Sequence, residues 1–145
     1  MKELIAVYKK DLLRLKEEVL SYKNEDLLFK ISGEINNSGG NLAMHLTGNV
    51  RHFIGAILGN SGYVRNLEEE FSGRFSVEKI VQDIDESISI VEKVLISLDT
   101  EMLSADYPQN VLGKPMTTSF FLYHLLGHLN YHLGQINYHR RLITK

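Results

Sequence analysis

Cysteine is absent from the sequence. Disulfide frameworks, thiolate metal sites and cysteine nucleophiles are therefore excluded, and the chain fits a reducing compartment. Proline is scarce: Pro108 and Pro115 both lie between residues 99 and 116, which marks that stretch as a helix break. No window approaches the ~20 apolar residues of a membrane span. The opening residues Met1–Lys9 carry no long apolar run before their next charges, so they do not read as a signal peptide. Neither sign of charge dominates, with a formal net charge of −2. The densest basic group, Lys9, Lys10, Arg14 and Lys16, is interleaved with Asp11, Glu17 and Glu18. That pattern makes a solvated helix face, not a phosphate-binding stripe. Together these absences predict a cytoplasmic protein with neither a nucleic-acid nor a membrane partner.

What is present is helical periodicity. A chain of 145 residues is the size of one domain, and residues 1–145 are expected to form one. Four segments place apolar residues three and four apart. The first runs from about Lys2 to Lys23, with Ile5, Tyr8, Leu12, Leu15, Val19 and Tyr22 on one stripe. The second runs from about Asn41, a candidate N-cap, to Leu58, and ends in Gly59-Asn60-Ser61-Gly62. The third runs from about Ser76 to Leu98, capped by Ser76 and striped by Ile80, Ile84, Ile88, Val91 and Leu95. The fourth runs from about Thr117 to Leu142, with Thr117 or Thr118 as cap. Residues 24–40, 63–75 and 99–116 are read as connections, and Val111–Pro115 as a turn flanked by short strands. Four amphipathic helices without strong strand signals predict an all-α four-helix bundle.

Six histidines stand at 45, 52, 124, 128, 132 and 139, four of them on the last helix. With about 100° per residue, His124, Gln135, His128, His139 and His132 share an arc of roughly 80°. Leu122, Leu125, Leu129, Leu133 and Ile136 fill the neighbouring arc, so the histidine stripe borders the core. Buried imidazoles are costly unless each nitrogen finds a partner. A divalent metal ion supplies one, and the i, i+4 pair His128 and His132 can aim both rings at a single point. Helix two offers a third imidazole in His45, and the wheel places Asn49 and His52 near the same face. His124 has the same spacing from His128 and reads as surface or support, His52 and His139 as solvent-facing.

The segment His128-Leu129-Asn130-Tyr131-His132-Leu133-Gly134-Gln135-Ile136 resembles the last-helix motif of the DinB-like superfamily, which includes YfiT-like proteins. Tyr131 and Leu133 depart from that motif, which carries a histidine and an arginine there. The stretch Asn37-Ser38-Gly39-Gly40-Asn41-Leu42-Ala43-Met44-His45-Leu46-Thr47-Gly48-Asn49 is similar to the second motif of one subfamily. The resemblance spans nearly the whole chain. It implies a four-helix bundle, metal ligands at His45, His128 and His132, and homodimerisation through helices. It further implies a small-molecule substrate, with a low-molecular-weight thiol as the co-substrate of a thiol S-transferase.

Three imidazoles leave open positions on a divalent ion, as catalytic sites do. Imidazole suits zinc, nickel and iron, with zinc or nickel placed first. A metal-dependent thiol S-transferase is the leading expectation. A metal-dependent hydrolase and a non-catalytic, dimerising metal-binding bundle are the alternatives. The last acidic residue is Asp106, so helix four supplies no carboxylate to orient a ligand or accept a proton. The sequence offers Asp83, Asp85, Glu86, Glu17, Glu18, a backbone carbonyl, Asn49 or Gln135 for that role, and does not choose among them.

Overall fold

The computed structural model describes residues 1–144. The chain is all-helical there, in the order α1 (Lys2–Leu20), α2 (Glu25–Leu28), α3 (Gly39–Asn49) with a π-helical continuation (Val50–Leu58), α4 (Leu67–Ser72), α5 (Val77–Ser97), α6 (Thr100–Ser104) and α7 (Thr118–Ile143). No helix among the described residues is long and apolar enough to cross a membrane.

The long helices form where the apolar stripes run, and short polar side chains start them. Ser76 accepts a hydrogen bond from the Lys79 amide, and Thr117 accepts one from Phe120. Helix α3 begins earlier than its sequence predicts. Ser38 is the cap, accepting from the Asn41 amide, and Asn41 lies inside the first turn. The asparagine side chain therefore reaches across to the segment around α4. Its Nδ2 donates to the carbonyls of Glu70, at 3.1 Å, and Gly73, at 2.8 Å. Helix α1 stops at Leu20, sooner than its stripe, but Tyr22 beyond it remains buried.

The stripes meet in one core. Tyr8, Leu12 and Leu15 of α1, Leu46 of α3, Ile80 and Ile84 of α5, and Phe121 and Leu122 of α7 are all essentially inaccessible. Helix α1 packs on α5 and α7, while α3 packs on α7 and its π-helical end packs on α5. Polar clasps register α1 against α7. The Tyr8 hydroxyl donates to the Leu122 carbonyl, and Glu18 accepts from Asn137 and Arg140 at 2.6 Å each. Burial alone would raise the Glu18 carboxyl, but those two hydrogen bonds hold it below its ordinary value.

Two connections carry more structure than their composition suggests. Residues 63–75 include α4, capped by Asn66. In 99–116 the flanking strands of the expected turn do not form. A single antiparallel bridge joins Asp106 to Thr117, α6 precedes it, and Gly113 takes the left-handed conformation (φ 76°). The Tyr107 hydroxyl ties this loop to the π-helical segment through the Phe53 carbonyl, at 2.8 Å.

Candidate metal centre

The contact of α3 with α7 brings His45, His128 and His132 together, each half-buried. One nitrogen from each ring lies within 4.8 Å of the other two. Nε2 of His45 and Nε2 of His128 are 3.3 Å apart. Two ligands of a tetrahedral ion with ~2.0–2.1 Å bonds stand about 3.3–3.4 Å from each other. The donor set therefore fits a divalent ion both in spacing and in chemistry.

Each ring is held by its other nitrogen. Glu70, 4% exposed, receives Nδ1–H of His45 on Oε2 at 3.0 Å. A carboxylate there requires the proton on Nδ1, which leaves the lone pair of Nε2 facing His128. Gln135 Oε1 accepts from His132 Nδ1 at 2.6 Å, leaving Nε2 of that ring as the free acceptor. The Asn49 amide stands 3.1 Å from His128 Nδ1. As placed, it donates to that nitrogen; turned over, its oxygen would accept Nδ1–H and free Nε2 as a ligand. A carboxylate and two amides around three imidazoles are what fixes ring orientation in metal sites.

The surroundings favour neutral rings. Burial pushes His128 down to about 4, aided by the nearby His132, His45, His124 and Arg65. Burial also lowers His132, against the hydrogen bond it donates to Gln135. Neutral imidazole is the form that ligates a metal. For Glu70, burial works upward, but the hydrogen bonds from His45 and Arg65 outweigh it and hold the carboxyl below its usual range. Arg65 grips the same carboxylate with two donors, Nε at 2.7 Å and Nη2 at 2.8 Å.

Glu70 and Arg65 are the residues that sequence reasoning missed. None of the five carboxylates named from the sequence reaches the histidines. Asp83 pairs with Lys79 and Arg51, Asp85 with Lys16, Glu86 with Arg51, and Glu18 with Arg140, while Glu17 stays exposed. A signal for Glu70 lay in the helix facing it. A Cβ at Gly48 would collide with the Glu70 carboxylate, so the glycine within helix α3 marks where something must approach closely. Asn49 and Gln135, both named, do touch the rings.

The other histidines divide. His124 is exposed beside Phe121, as expected of a surface position. His52 is half-buried and not freely exposed: it packs edge-on against Phe53, its Nδ1 is buried without a hydrogen-bond partner, and burial lowers its pKa. The π-helical segment explains why it also misses the centre. Beyond Asn49 the chain turns less than 100° per residue, so the α-helical wheel no longer applies. His139 is also not solvent-facing. It is 3% exposed, with Nδ1 at 2.6 Å from the Tyr22 hydroxyl and Nε2 donating to the Lys30 carbonyl at 2.8 Å.

No protein-family model matches the chain, and no curated protein matches it either.

Proposed function

We propose that the chain is a DinB-like four-helix bundle over residues 1–145, holding one divalent metal ion through His45, His128 and His132. We further propose that it uses the ion to act on a small molecule as a thiol S-transferase. The observation that carries this reading is the set of three imidazoles, each held by its outer nitrogen and converging by its inner one. Zinc or nickel suits this donor set first, with iron third. An ion bound there would act as a Lewis acid, acidifying a coordinated thiol or polarising a carbonyl.

The chain's own residues supply orientation. Glu70, Asn49 and Gln135 fix the three rings. In the transferase reading, the sulfur of a low-molecular-weight thiol bonds to an electrophilic carbon while that carbon's bond to its leaving group breaks. The thiol proton passes to solvent at the exposed side, where His124 stands. A hydrolase acting on a small ester or amide draws on the same centre.

One observation favours a second, non-catalytic reading. Glu70 is the carboxylate at the centre, it already accepts three hydrogen bonds, and its basicity is reduced. It orients His45 and is a poor proton acceptor.

A homodimer belongs to the proposal and is supported by α7. Phe120, Tyr123, Tyr131, Tyr138 and Leu142 are all more than half exposed along that helix. Gly127 and Gly134 lie on the same side, and a Cβ at either would meet nothing within 4 Å. Glycine inside a helix costs roughly 0.5–1 kcal/mol relative to alanine, and no contact within the chain explains these two. A second copy packing closely on this largely apolar stripe, which carries Arg141 over the Tyr138 ring at its C-terminal end, does. Gly127→Arg should leave the fold intact and yield a monomer by light scattering, whereas a parent that is already monomeric removes the dimer.

The decisive experiment is elemental analysis of tag-free protein beside a variant with His45, His128 and His132 all changed to Ala. About one ion per chain in the parent and none in the variant is expected. The loaded parent should then consume a thiol together with an electrophile. Metal without turnover of thiols or esters would favour the binding reading, and no metal after incubation with zinc or nickel would remove both.

A further inference from the structure

A cleft of about 250 Å³ opens directly onto the histidine centre, with His45, Asn49 and His128 forming its polar end. The rest of its wall is apolar: Phe53 from the π-helical segment, Leu67 from α4, Val111 from the 106–116 loop, and Phe121 and Leu125 from α7. Five apolar side chains from four separate parts of the chain thus surround the side from which a substrate would reach the imidazoles. Phe121 and Leu125 belong to the core stripe of α7, and Phe53, Leu67 and Val111 complete the wall from the π-helical segment, α4 and the loop.

Charge is scarce in this cleft and already matched. Arg65 is its one permanent cation, and two of its donors are engaged by Glu70. The guanidinium carbon also lies 5.5 Å from the Phe53 ring centre, which turns its face toward an aromatic surface. His124 stands at the exposed rim, stacked on Phe121 with centroids 6.1 Å apart. A substrate carrying a charged tail into the cleft would lose water and gain no free counter-charge. An uncharged apolar body loses nothing and gains the whole wall. For scale, a cavity of ~150 Å³ lined by Leu, Ile and Phe accepts benzene.

We infer that this cleft selects a compact, uncharged, apolar substrate, of the size of a substituted benzene ring or a branched alkyl group, with its reactive polar atom turned to His45 and His128. The inference rests on the metal-dependent reading above and adds the class of molecule acted upon. The polarity of the substrate is divided along one axis: a head that engages the centre and a body that fills the cleft between α4, the 106–116 loop and α7.

Benzohydroxamate and acetohydroxamate test it. They share one metal-binding head and differ in the body, a phenyl ring against a methyl group. Each is titrated into the cobalt-loaded protein and followed by the visible absorption of the ion. A single methylene in a hydrophobic pocket changes affinity roughly 10–200-fold, so benzohydroxamate should bind at least tenfold more tightly. Leu67 and Val111 are 51% and 39% exposed, so changing both to Ser leaves the core untouched. That variant should lose at least threefold of the preference for the phenyl body over the methyl group. Equal affinity for the two probes, or a preference unaffected by the double change, overturns the inference and leaves the metal reading standing. Failure of cobalt to bind at all removes the metal reading, and this inference with it.

Discussion

His132 and His139 lie seven residues apart on α7, yet their rings are completed in opposite ways. At His139 the protein satisfies both ring nitrogens, one with Tyr22 and one with the Lys30 carbonyl. The Tyr22 hydroxyl also lies 3.3 Å from the Ile136 carbonyl. Nothing remains for a ligand to satisfy. At His132, and equally at His45 and His128, the protein completes one nitrogen and leaves the other facing two more imidazoles. Helical phase does not separate the two situations; His139 is fully buried with a fixed partner on each nitrogen, whereas the three clustered rings are half-buried and meet mainly one another.

The largest effect should come from removing one histidine of each kind. His128→Ala should abolish tight metal binding, and His139→Ala should leave it unchanged, as read by elemental analysis. A folded His139→Ala protein that lost its metal would undo the distinction. A smaller effect is expected one bond further out. Glu70→Gln keeps the shape but weakens the hold on His45, and metal affinity should fall roughly 10–100-fold in a competition titration with a chelator. Unchanged affinity would make Glu70 a partner of Arg65 alone. His139→Ala should instead show its effect in stability. Removing a buried ring with two hydrogen bonds costs about 2–4 kcal/mol in urea unfolding.

The smallest effect concerns acid and the metal-free protein. His128 is lowered from 6.5 to about 4 in the fold. Between those values the unfolded chain binds a proton that the folded chain refuses, so stability falls as the pH drops through that window. Glu70, lowered from 4.5, acts in the same direction below it, because its stabilising contribution is lost as it protonates. Unfolding midpoints of the apo protein should therefore decline from pH 7 to pH 4, and His128→Gln should flatten the upper part of that decline. A parent whose midpoint does not move would contradict the buried, neutral state of the ring.

The long helices were readable because apolar spacing reports the face that each one buries. The convergence of His45, His128 and His132 was readable for the same reason, since both helices point those residues at their shared contact. What stayed hidden came from the connections. Glu70 stands last in Glu68-Glu69-Glu70, a run that reads as solvated charge, and only the folding of α4 onto Asn41 and Gly48 distinguishes it. His139 shares the arc of His128 and His132 on a helical wheel, and only the path of the chain through Tyr22 and Lys30 sets it apart. The wheel set His52 near the face of His45, but a wheel assumes one angular step throughout, and the chain changes its step after Asn49.

That change of step has a mechanical consequence. In the π-helical stretch the Gly59 amide reaches back five residues, to Ile54, so each hydrogen-bonded ring holds one residue more than an α-helix does. Such a stretch works as slack in a taut line. A shift imposed on the Gly59–Gly62 turn can be taken up by re-pairing carbonyls within Val50–Leu58 before it reaches Asn49. The end of the helix that bears His45 is thus insulated from the end that meets the loop. A change in the Gly59–Gly62 turn should therefore reach His45 only weakly along the helix, its main route to the centre being Arg65 and Glu70, which follow the turn and hold that ring.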